Sequence, residues 1–236
     1  MEITFISDTH GKHKKLNLKG GDLIIFSGDL SSVGYSHEIK AFLTWFSKTP
    51  YFYKVFIPGN HDFYFDHSRT PYTQKGMDRF GKPHYSEENI NQMLSDFPNI
   101  TYLNDSGCDF EGIKIWGSPI TPWFHDWAFN RTRGKDIKKH WDLIPEDIDI
   151  LITHGPPHGI LDFVDRTIEP QGCEDLWNRV LEVKPLIHCF GHIHEGYGSK
   201  ESHGINFINS SILNERNEFQ NAPINIILKN NEIEFV

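Results

Sequence analysis

Near the start of the chain an apolar run leads directly into two possible metal ligands, in the stretch Ile3-Thr4-Phe5-Ile6-Ser7-Asp8-Thr9-His10. Its first four residues have the composition of a short buried β-strand. Asp8 and His10 then lie two positions apart, where a turn can direct both side chains at one ion. This order of an apolar run followed by ligand-type residues decides the fold, because it recurs along the chain.

Four further apolar runs share this arrangement, and each is followed within about three residues by Asp, Asn or His. The runs are residues 23–26, 54–57, 148–152 and 186–190. The residues that follow them are Asp29, then Asn60, His61 and Asp62, then His154, and finally His192 and His194. Loops that leave neighbouring parallel strands converge on one crevice of an open α/β sheet. We therefore expect these side chains to meet at one site.

Helical spacing of apolar residues lies between the runs and predicts helices that cover the sheet. Three helices are predicted: one from the N-cap Ser36 through Phe46, one behind Ser86 through Phe97, and one over residues 173–183. Further strands are predicted at residues 101–103, 113–116, 224–228 and 232–236. Asn230-Asn231 is a hairpin signal between the last two. Residues 63–85 and 118–133 lack clear periodicity and are predicted as long loops, so a mixed sheet or two-sheet sandwich is expected.

The composition limits the class of protein. The 236 residues, 38% of them hydrophobic, suit a single domain over residues 1–236 with a sizeable core. The chain carries 23 basic and 32 acidic side chains, a net charge of −9 that disfavours a duplex nucleic acid as partner. We expect no membrane association and no signal peptide, and therefore a cytoplasmic protein. Cys108, Cys173 and Cys189 form no pair motif and are expected to be buried, reduced thiols.

The ligand-type residues have the chemistry of a site for divalent cations. Hard or borderline ions take carboxylate oxygen, amide oxygen and imidazole nitrogen, and a pair of ions needs a carboxylate that can bridge them. Seven such ligands are too many for one tetrahedral zinc ion and suit two ions. The seven are Asp8, His10, Asp29, Asn60, His154, His192 and His194.

The ordered blocks resemble the five motifs of the calcineurin-like metallophosphoesterase superfamily over residues 8–194. The blocks are Asp8-Thr9-His10, Gly28-Asp29, Gly59-Asn60-His61-Asp62, His154 and Gly191-His192-Ile193-His194. Residues 115–119, 121–124, 127–130, 153–159 and 191–198 resemble a narrower subgroup, the metallophosphoesterase-domain-containing proteins, which is similar to cyclic-nucleotide phosphodiesterases. The resemblance implies an α/β fold, a four-layer α/β/β/α sandwich with the dimetal site at the strand C-termini.

The same resemblance implies a role for each ligand. One ion would be held by Asp8, His10, Asp29 and His194, and the other by Asp29, Asn60, His154 and His192, with Asp29 as the bridge. Two ions that share a water lower its pKa and provide hydroxide as the nucleophile at neutral pH. His61 is not needed as a ligand and is expected to be the general acid, contacting substrate together with Asn60. Mn, Fe, Zn, Ni and Co all accept such ligands, so the metal stays open.

One departure from the superfamily bears on the substrate. Its serine/threonine phosphatases follow the bridging Asp with an Asp-Arg pair, and Ser32 and Val33 occupy those positions here. A missing arginine suits a phosphodiester, which has one negative charge at phosphorus where a monoester has nearly two. We expect a phosphodiesterase for a small molecule, with cyclic nucleotides among the candidates. A phosphomonoesterase of broad specificity, or a catalytically idle scaffold that binds a protein, are the alternatives.

Other residues carry less specific signals. His158, Trp123 and Phe124 are candidates for substrate contact. The aromatic side chains of residues 63–65, like those of Trp123 and Phe124, either stack on a nucleobase or pack their loop onto the domain. A basic group either steers an anionic substrate or forms the solvated face of a short helix. The group comprises Arg131, Arg133, Lys135, Lys138 and Lys139.

Overall fold

Strands make up the centre of the molecule in the computed structural model, which describes residues 1–68, 84–165 and 169–236. In chain order the strands are β1 (Glu2–Ile6), β2 (Gly21–Ser27), β3 (Tyr51–Ile57), β4 (Thr101–Tyr102), β5 (Ser106–Phe110), β6 (Ile113–Ser118), β7 (Thr121–Pro122), β8 (Asn130–Arg131), β9 (Ile150–Thr153), β10 (Ile187–Phe190), β11 (Gly198–Ser202), β12 (Ile205–Asn209), β13 (Ile224–Lys229) and β14 (Glu232–Phe235). Sheet 1 has the order β14-β13-β1-β2-β3-β4, and sheet 2 has the order β11-β12-β10-β9-β6-β5. Strands β7 and β8 form a separate parallel pair.

Four α-helices accompany the strands in the described residues. They are α1 (Ser36–Phe46), α2 (Glu87–Ser95), α3 (Lys135–Trp141) and α4 (Glu174–Val183). Short 3₁₀ turns cover His13–Lys15, Phe63–Phe65 and His194–Gly196. None of the helices in the described ranges has the length and apolar character needed to cross a bilayer.

The strands that precede the ligand residues run parallel to their neighbours. In sheet 1, β1 pairs with β2 from Ile3 opposite Leu23, and β2 pairs with β3 in the same direction. In sheet 2, β10 lies parallel to β9 on one side and to β12 on the other. The carboxyl ends of these strands therefore lie at one edge of each sheet, as the sequence pattern predicts.

The core has one layer between the sheets and others beneath the helices. Leu23 and Ile25 of sheet 1 belong to the same buried cluster as Ile150 and Ile152 of sheet 2. The alternate residues of each strand face the helices. In sheet 1 the Phe26 ring lies 4.8 Å from the Phe42 ring of α1. In sheet 2 Phe207 lies 6.0 Å from Trp177 of α4. Burial on both faces explains the continuous apolar runs, and the predicted four-layer α/β/β/α order is confirmed.

Several predicted elements are confirmed with small differences at their ends. Asn230 and Asn231 both have positive φ, +50° and +62°, and turn the chain between β13 and β14, as their hairpin signal predicts. Helix α1 begins at Ser36, so the prediction of Ser36 as the N-cap is wrong by one residue. Glu38 instead accepts the main-chain N–H of the preceding Tyr35, at 3.0 Å. Cys173 precedes α4 as its N-cap.

Other expectations need correction. Strands β5, β11 and β12 were not among the predicted strands, and residues 118–133 contain the short pair β7 and β8. Part of the other predicted loop, residues 69–83, lies outside the described residues. Of the two alternatives for Phe63, Tyr64 and Phe65, packing of the loop onto the domain is confirmed, because all three are buried, and stacking on a nucleobase is excluded for them. All three cysteines are free, but Cys108 is only half-buried.

Candidate metal centre

The predicted ligand residues lie beside the carboxyl ends of strands from both sheets. Asp8 and His10 follow β1, Asp29 follows β2, Asn60 and His61 follow β3, His154 follows β9, and His192 and His194 follow β10. The sheets are joined next to this point by main-chain hydrogen bonds. The N–H of Ser7 donates to the Ser210 carbonyl (3.0 Å), and the N–H of Ile212 donates to the Ser7 carbonyl (3.1 Å). The site is therefore assembled across the junction of the two sheets.

Four of the seven candidate ligand residues have a strained backbone. Asp8, His10, Asp29 and His192 have φ values of +54°, +42°, +57° and +68°. Side-chain-bearing residues rarely adopt this left-handed region, at a cost of order 1–3 kcal/mol each, and such residues cluster at functional sites. The tight turns that result aim consecutive side chains at one point.

Asp29 presents its two carboxylate oxygens to different imidazoles. Oδ1 lies 3.4 Å from Nε2 of His154, and Oδ2 lies 3.7 Å from Nε2 of His10. The main-chain N–H of His61 donates to Oδ1 at 2.8 Å and fixes the rotation of the carboxylate. A carboxylate with its two oxygens directed at two ligand groups has the arrangement of a bridge between two ions.

The spacing of the donor atoms fits ions on either side of Asp29. Two ligand atoms at about 2.1 Å from one ion lie about 3.0–3.4 Å apart in octahedral to tetrahedral geometry. Nε2 of His154 is 2.9 Å from Oδ1 of Asn60, and Nε2 of His194 is 3.5 Å from Oδ1 of Asp8. Three groups of possible ligands in the described residues have atoms within 4.8 Å of one another: Asp8, His10 and His194; Asp29, His154 and His192; and His10, Asp29 and His61.

Backbone carbonyls orient two of the imidazoles. His154 donates its Nδ1–H to the carbonyl of Ser27 at 2.9 Å, and His194 donates its Nδ1–H to the carbonyl of Asn214 at 2.8 Å. These bonds direct each Nε2 toward the carboxylates. Metal-ligating histidines are held by such outer hydrogen bonds, so the imidazoles fit the role of ligands.

Asp8 is held by hydroxyl and main-chain donors. Its Oδ2 accepts from Oγ of Ser7 at 2.5 Å, from Oγ of Ser211 at 2.8 Å and from the N–H of His192 at 3.1 Å. These bonds leave Oδ1 facing Nε2 of His194. The backbone approaches closely here because position 191 is glycine, where a Cβ would lie 2.1 Å from Oδ2 of Asp8.

The electrostatics favour a bound cation. Burial opposes ionisation of Asp8, but the hydrogen bond and charge of His194 hold the pKa of Asp8 below its ordinary range. Burial likewise opposes ionisation of Asp29, and the positive charge of His154 outweighs it and lowers the pKa of Asp29. Burial disfavours the imidazolium of His154, but the charge of Asp29 raises the pKa of His154 to about 9. The two buried carboxylates are therefore ionised at neutral pH and attract positive charge.

The other two histidines are suited to bind as neutral ligands. Burial is the main cause that lowers the pKa of His10 to about 4 and the pKa of His192 to about 3. Their imidazoles are therefore unprotonated at neutral pH, which is the form that ligates a metal. The donor set, its spacing and its charge all fit divalent ions.

His61 is fixed at the edge of this group. Its Nδ1–H donates to the carbonyl of Ser32 at 2.8 Å, and its Nε2 lies 4.0 Å from Oδ2 of Asp29. The indole of Trp127 stacks on its ring, with centroids 4.2 Å apart and planes 27° apart. Ser32 stands where the serine/threonine phosphatases of the superfamily have an aspartate, and here its backbone carbonyl accepts the hydrogen bond from His61.

A cavity of about 290 Å³ opens over the site. It is lined by six of the predicted ligand and acid residues, namely His10, Asp29, Asn60, His61, His192 and His194, and by Phe124, Trp127, Glu195, Glu215 and Asn217. Within the described residues its lining contains no Lys or Arg. Two cations stand beside it with other partners: Lys12 donates to the carbonyl of Asn217, and Arg216 contacts Glu215 at 3.5 Å.

The remaining candidates have different positions. Phe124 lines the cavity, whereas Trp123 and His158 are not among its described lining residues. Two members of the basic group have partners that are not among the described lining residues of the cavity. Arg133 donates to the carbonyls of residues 171 and 172, and Lys139 pairs with Asp136 at 2.7 Å. This geometry favours the solvated helix face over steering of a substrate.

Sequence reasoning missed the side chains that support the ligands. Ser7 and Ser211 give no motif signal, although Ser211 follows an apolar stretch as the ligands do. Asp62 belongs to a motif, but its role comes only from the structure. It is buried and accepts hydrogen bonds from Leu30, Ser31 and Gly59.

Comparisons with known proteins show which proteins this chain resembles. A family model described as calcineurin-like phosphoesterase matches residues 1–196. The chain is 40% identical over 227 residues to metallophosphoesterase domain-containing protein 1 of Homo sapiens, covering 94% of this chain and 69% of that protein. It is 33% identical over 225 residues to UPF0046 protein K07C11.7 of Caenorhabditis elegans, covering 95% and 74% of the two chains.

Solved structures show the same fold at low sequence identity. Phosphopantetheinyl hydrolase from Mycobacterium tuberculosis matches with a TM-score of 0.58 and 13% identity, over 91% of this chain and 90% of that one. The protein TT1561 of Thermus thermophilus matches with a TM-score of 0.58 and 14% identity, over 100% and 97%. These likenesses extend over nearly the whole of each chain.

Proposed function

Because the chain belongs to the calcineurin-like phosphoesterase family, whose members are metal-dependent phosphoester hydrolases, we propose that its substrate is a small phosphodiester. The observation that carries the proposal is the absence of Lys and Arg from the described lining of the cavity. A monoester brings nearly two negative charges to phosphorus, and arginine commonly clamps such groups. A diester brings one charge and needs less cationic binding.

The ligand assignment is part of the proposal. Asp8, His10, Asp29 and His194 would hold one divalent ion, and Asp29, Asn60, His154 and His192 the other. When bound, such ions supply a water of lowered pKa and neutralise charge that develops on the phosphoryl oxygens. The opposed directions of the two Asp29 oxygens support its role as the bridge.

His61 would be the general acid. Its Nδ1–H is committed to the Ser32 carbonyl, so Nε2 is the atom available to carry a proton to the leaving oxygen. His61 and Asn60 both line the cavity, where Nε2 of His61 and the side chain of Asn60 would contact the substrate. The Phe124 and Trp127 rings give the cavity an aromatic wall, which makes cyclic nucleotides the first diesters to test.

The test combines metal content with two matched esters. Protein would be reconstituted with Mn²⁺, its metal measured per chain, and turnover compared for bis-p-nitrophenyl phosphate and p-nitrophenyl phosphate, with a chelated sample as control. We expect close to two ions per chain and faster diester turnover. Faster monoester turnover would instead support the phosphomonoesterase, and bound metal without turnover of either ester would support the scaffold. Failure to bind metal after reconstitution would overturn the dimetal site.

A further inference from the structure

We propose that Trp127 is a positioning residue for His61, and that the loop of residues 123–131 is built to hold its indole against the imidazole. The inference rests on the proposed function, in which His61 is the general acid. It adds a requirement that the ligand motifs do not contain: an aromatic side chain from another loop that fixes the acid.

The contacts of His61 leave one motion for the indole to block. The main-chain N–H of His61 donates to Asp29, and Nδ1–H donates to the Ser32 carbonyl, each at 2.8 Å. The His61 side chain nevertheless keeps 26% of its surface exposed to solvent. A single hydrogen bond to a ring nitrogen permits the ring to swing about that bond, and the other ring contact of His61, with His10, is edge-to-face at 4.6 Å and offers no stacked surface. The Trp127 indole lies nearly parallel to the imidazole at 4.2 Å and covers one of its faces, which blocks the swing.

Trp127 is itself held by a ring of the core and by a main-chain hydrogen bond of the next residue. The buried ring of Phe63 lies 5.8 Å from the indole on the core side. The N–H of Ala128, the next residue, donates to the carbonyl of Asn60 at 3.1 Å. The residue before His61 and the residue after Trp127 are therefore bonded to each other, which fixes the two rings in register.

The backbone of the loop is strained around Trp127. His125, Asp126 and Phe129 have φ values of +48°, +56° and +59°, three left-handed residues within five positions. Strain of this kind persists only where surrounding contacts determine the conformation, and it gathers at functional sites. Phe129 has such a contact, because its N–H donates to the carboxylate of the buried Asp66 at 2.8 Å. The strain and the stacking are independent observations that point to the same residue.

A positioned acid matters most when the leaving group is basic. A p-nitrophenolate leaves without much help from a proton, whereas a phenolate is more basic and benefits from protonation in the transition state. Loss of the indole should therefore reduce turnover of a phenyl ester more than turnover of a p-nitrophenyl ester. A general loss of structure or of metal would reduce both.

The experiment compares Trp127→Leu with wild type on methyl phenyl phosphate and methyl p-nitrophenyl phosphate, both with Mn²⁺. We expect a loss of about 10-fold or more in kcat/KM for the phenyl ester and about 3-fold or less for the p-nitrophenyl ester. Because the two rates come from one preparation, any unfolded fraction cancels in their ratio. Trp127→Phe, which keeps a stacking ring, should restore most of the loss. Equal losses for both esters would overturn the proposal.

Two further measurements separate positioning from a structural role. In a His61→Ala background, Trp127→Leu should cause no additional loss on the phenyl ester, because it acts through the missing imidazole. An equal loss in that background would overturn the proposal. Trp177→Leu is the matched control: Trp177 is also half-buried and lies edge-on to a histidine, His203, at 5.3 Å, beside sheet 2. We expect it to leave the ratio of the two rates unchanged.

The stacking can also be measured without any turnover. In the metal-free protein, the ring-carbon proton signals of His61, assigned by their loss in His61→Ala, should carry an upfield ring-current shift that disappears in Trp127→Leu. Absence of that shift in wild type would overturn the proposal even if the protein is active. If wild type hydrolyses neither diester, the proposed function fails, and the NMR signal alone still supports or refutes the stacking.

Discussion

Asp62→Asn is expected to lower the free energy of unfolding by about 1–3 kcal/mol, because Asp62 ties the loop after β2 to the loop after β3. The Asp62 carboxylate is buried, and it is the acceptor in the four hydrogen bonds that follow. Oδ2 accepts the main-chain N–H groups of Gly59 (2.7 Å) and Leu30 (3.2 Å), and Oδ1 accepts the N–H (2.9 Å) and Oγ–H (2.6 Å) of Ser31. The donors belong to Gly59, which precedes Asn60, and to Leu30 and Ser31, which follow Asp29.

The magnitude follows from counting donors. An asparagine has one acceptor oxygen and one NH₂ group. With its oxygen toward Gly59 and Leu30, its NH₂ faces the N–H of Ser31; in the flipped orientation, the NH₂ faces two N–H groups. At least one buried N–H therefore loses its partner, at about 1–3 kcal/mol, whereas both oxygens of a carboxyl group can accept a hydrogen bond.

Urea denaturation would measure the loss on chelator-treated protein, so that metal binding does not contribute. Burial, followed by the charge of Asp29, raises the pKa of Asp62 to about 7, so at neutral pH and above the folded wild type bears a cost of charge burial that asparagine does not. The denaturation series is therefore run near pH 4, where Asp62 is protonated in the folded state and about half protonated in the unfolded state, so that this difference is small. Asp22→Asn is the matched control, because Asp22 accepts one main-chain N–H, that of Glu2, in an exposed position at 2.7 Å. A loss no larger than that of the control would refute the reasoning.

Three further predictions concern the ligands, the acid and a buried imidazole. Asp29→Asn is expected to lower metal content per chain, because its two oxygens face different ligand groups; metal content equal to wild type would exclude the bridge. His61→Ala is expected to keep its metal and lose about 10²–10⁴-fold in turnover, and a fully active variant would exclude the acid role. Burial lowers the pKa of His188 from 6.5 to about 3, so below about pH 6.5 the unfolded chain takes up a proton that the folded chain does not. As the pH falls from 6 to 4, His188 should therefore lower the free energy of unfolding by about 1.4 kcal/mol per pH unit. In denaturation series over this range, His188→Gln should remove that part of the pH dependence. Equal pH dependence in the variant and wild type would contradict the prediction.

The sequence predicts the parallel strands and the convergence of the candidate ligand residues well because both depend on local pattern. An apolar run buried on both faces and a polar residue just beyond its end are visible in the residues themselves, as at Ile3–Ile6 and Asp8. Parallel pairing then brings the strand ends together regardless of their separation along the chain. The cytoplasmic location and the extent of the domain stay predictions.

What the sequence could not supply depends on contacts between loops. The stacking of Trp127 on His61 requires left-handed turns at side-chain-bearing residues, which no periodicity signals. Ser211 reaches Asp8 because β12 pairs with β10, and β12 has no ligand motif behind it. Residues 63–65 have the composition of an exposed aromatic loop, but a 3₁₀ turn places all three rings in the core.

Because the candidate metal site lies at the junction of the two sheets, binding of metal ions there would also stabilise the fold. Asp8 and His10 belong to sheet 1 and His194 to sheet 2, and the group of Asp29, His154 and His192 is divided in the same way. Each ion bound by such a group would act as a cross-link between the sheets. A ligand that binds only the folded state stabilises it by RT ln(1 + [L]/Kd), about 2.7 kcal/mol at a hundredfold excess over Kd. A related chain with other residues at these positions would lose this stabilisation together with metal binding. It would need stronger packing between its two sheets to reach the same free energy of unfolding.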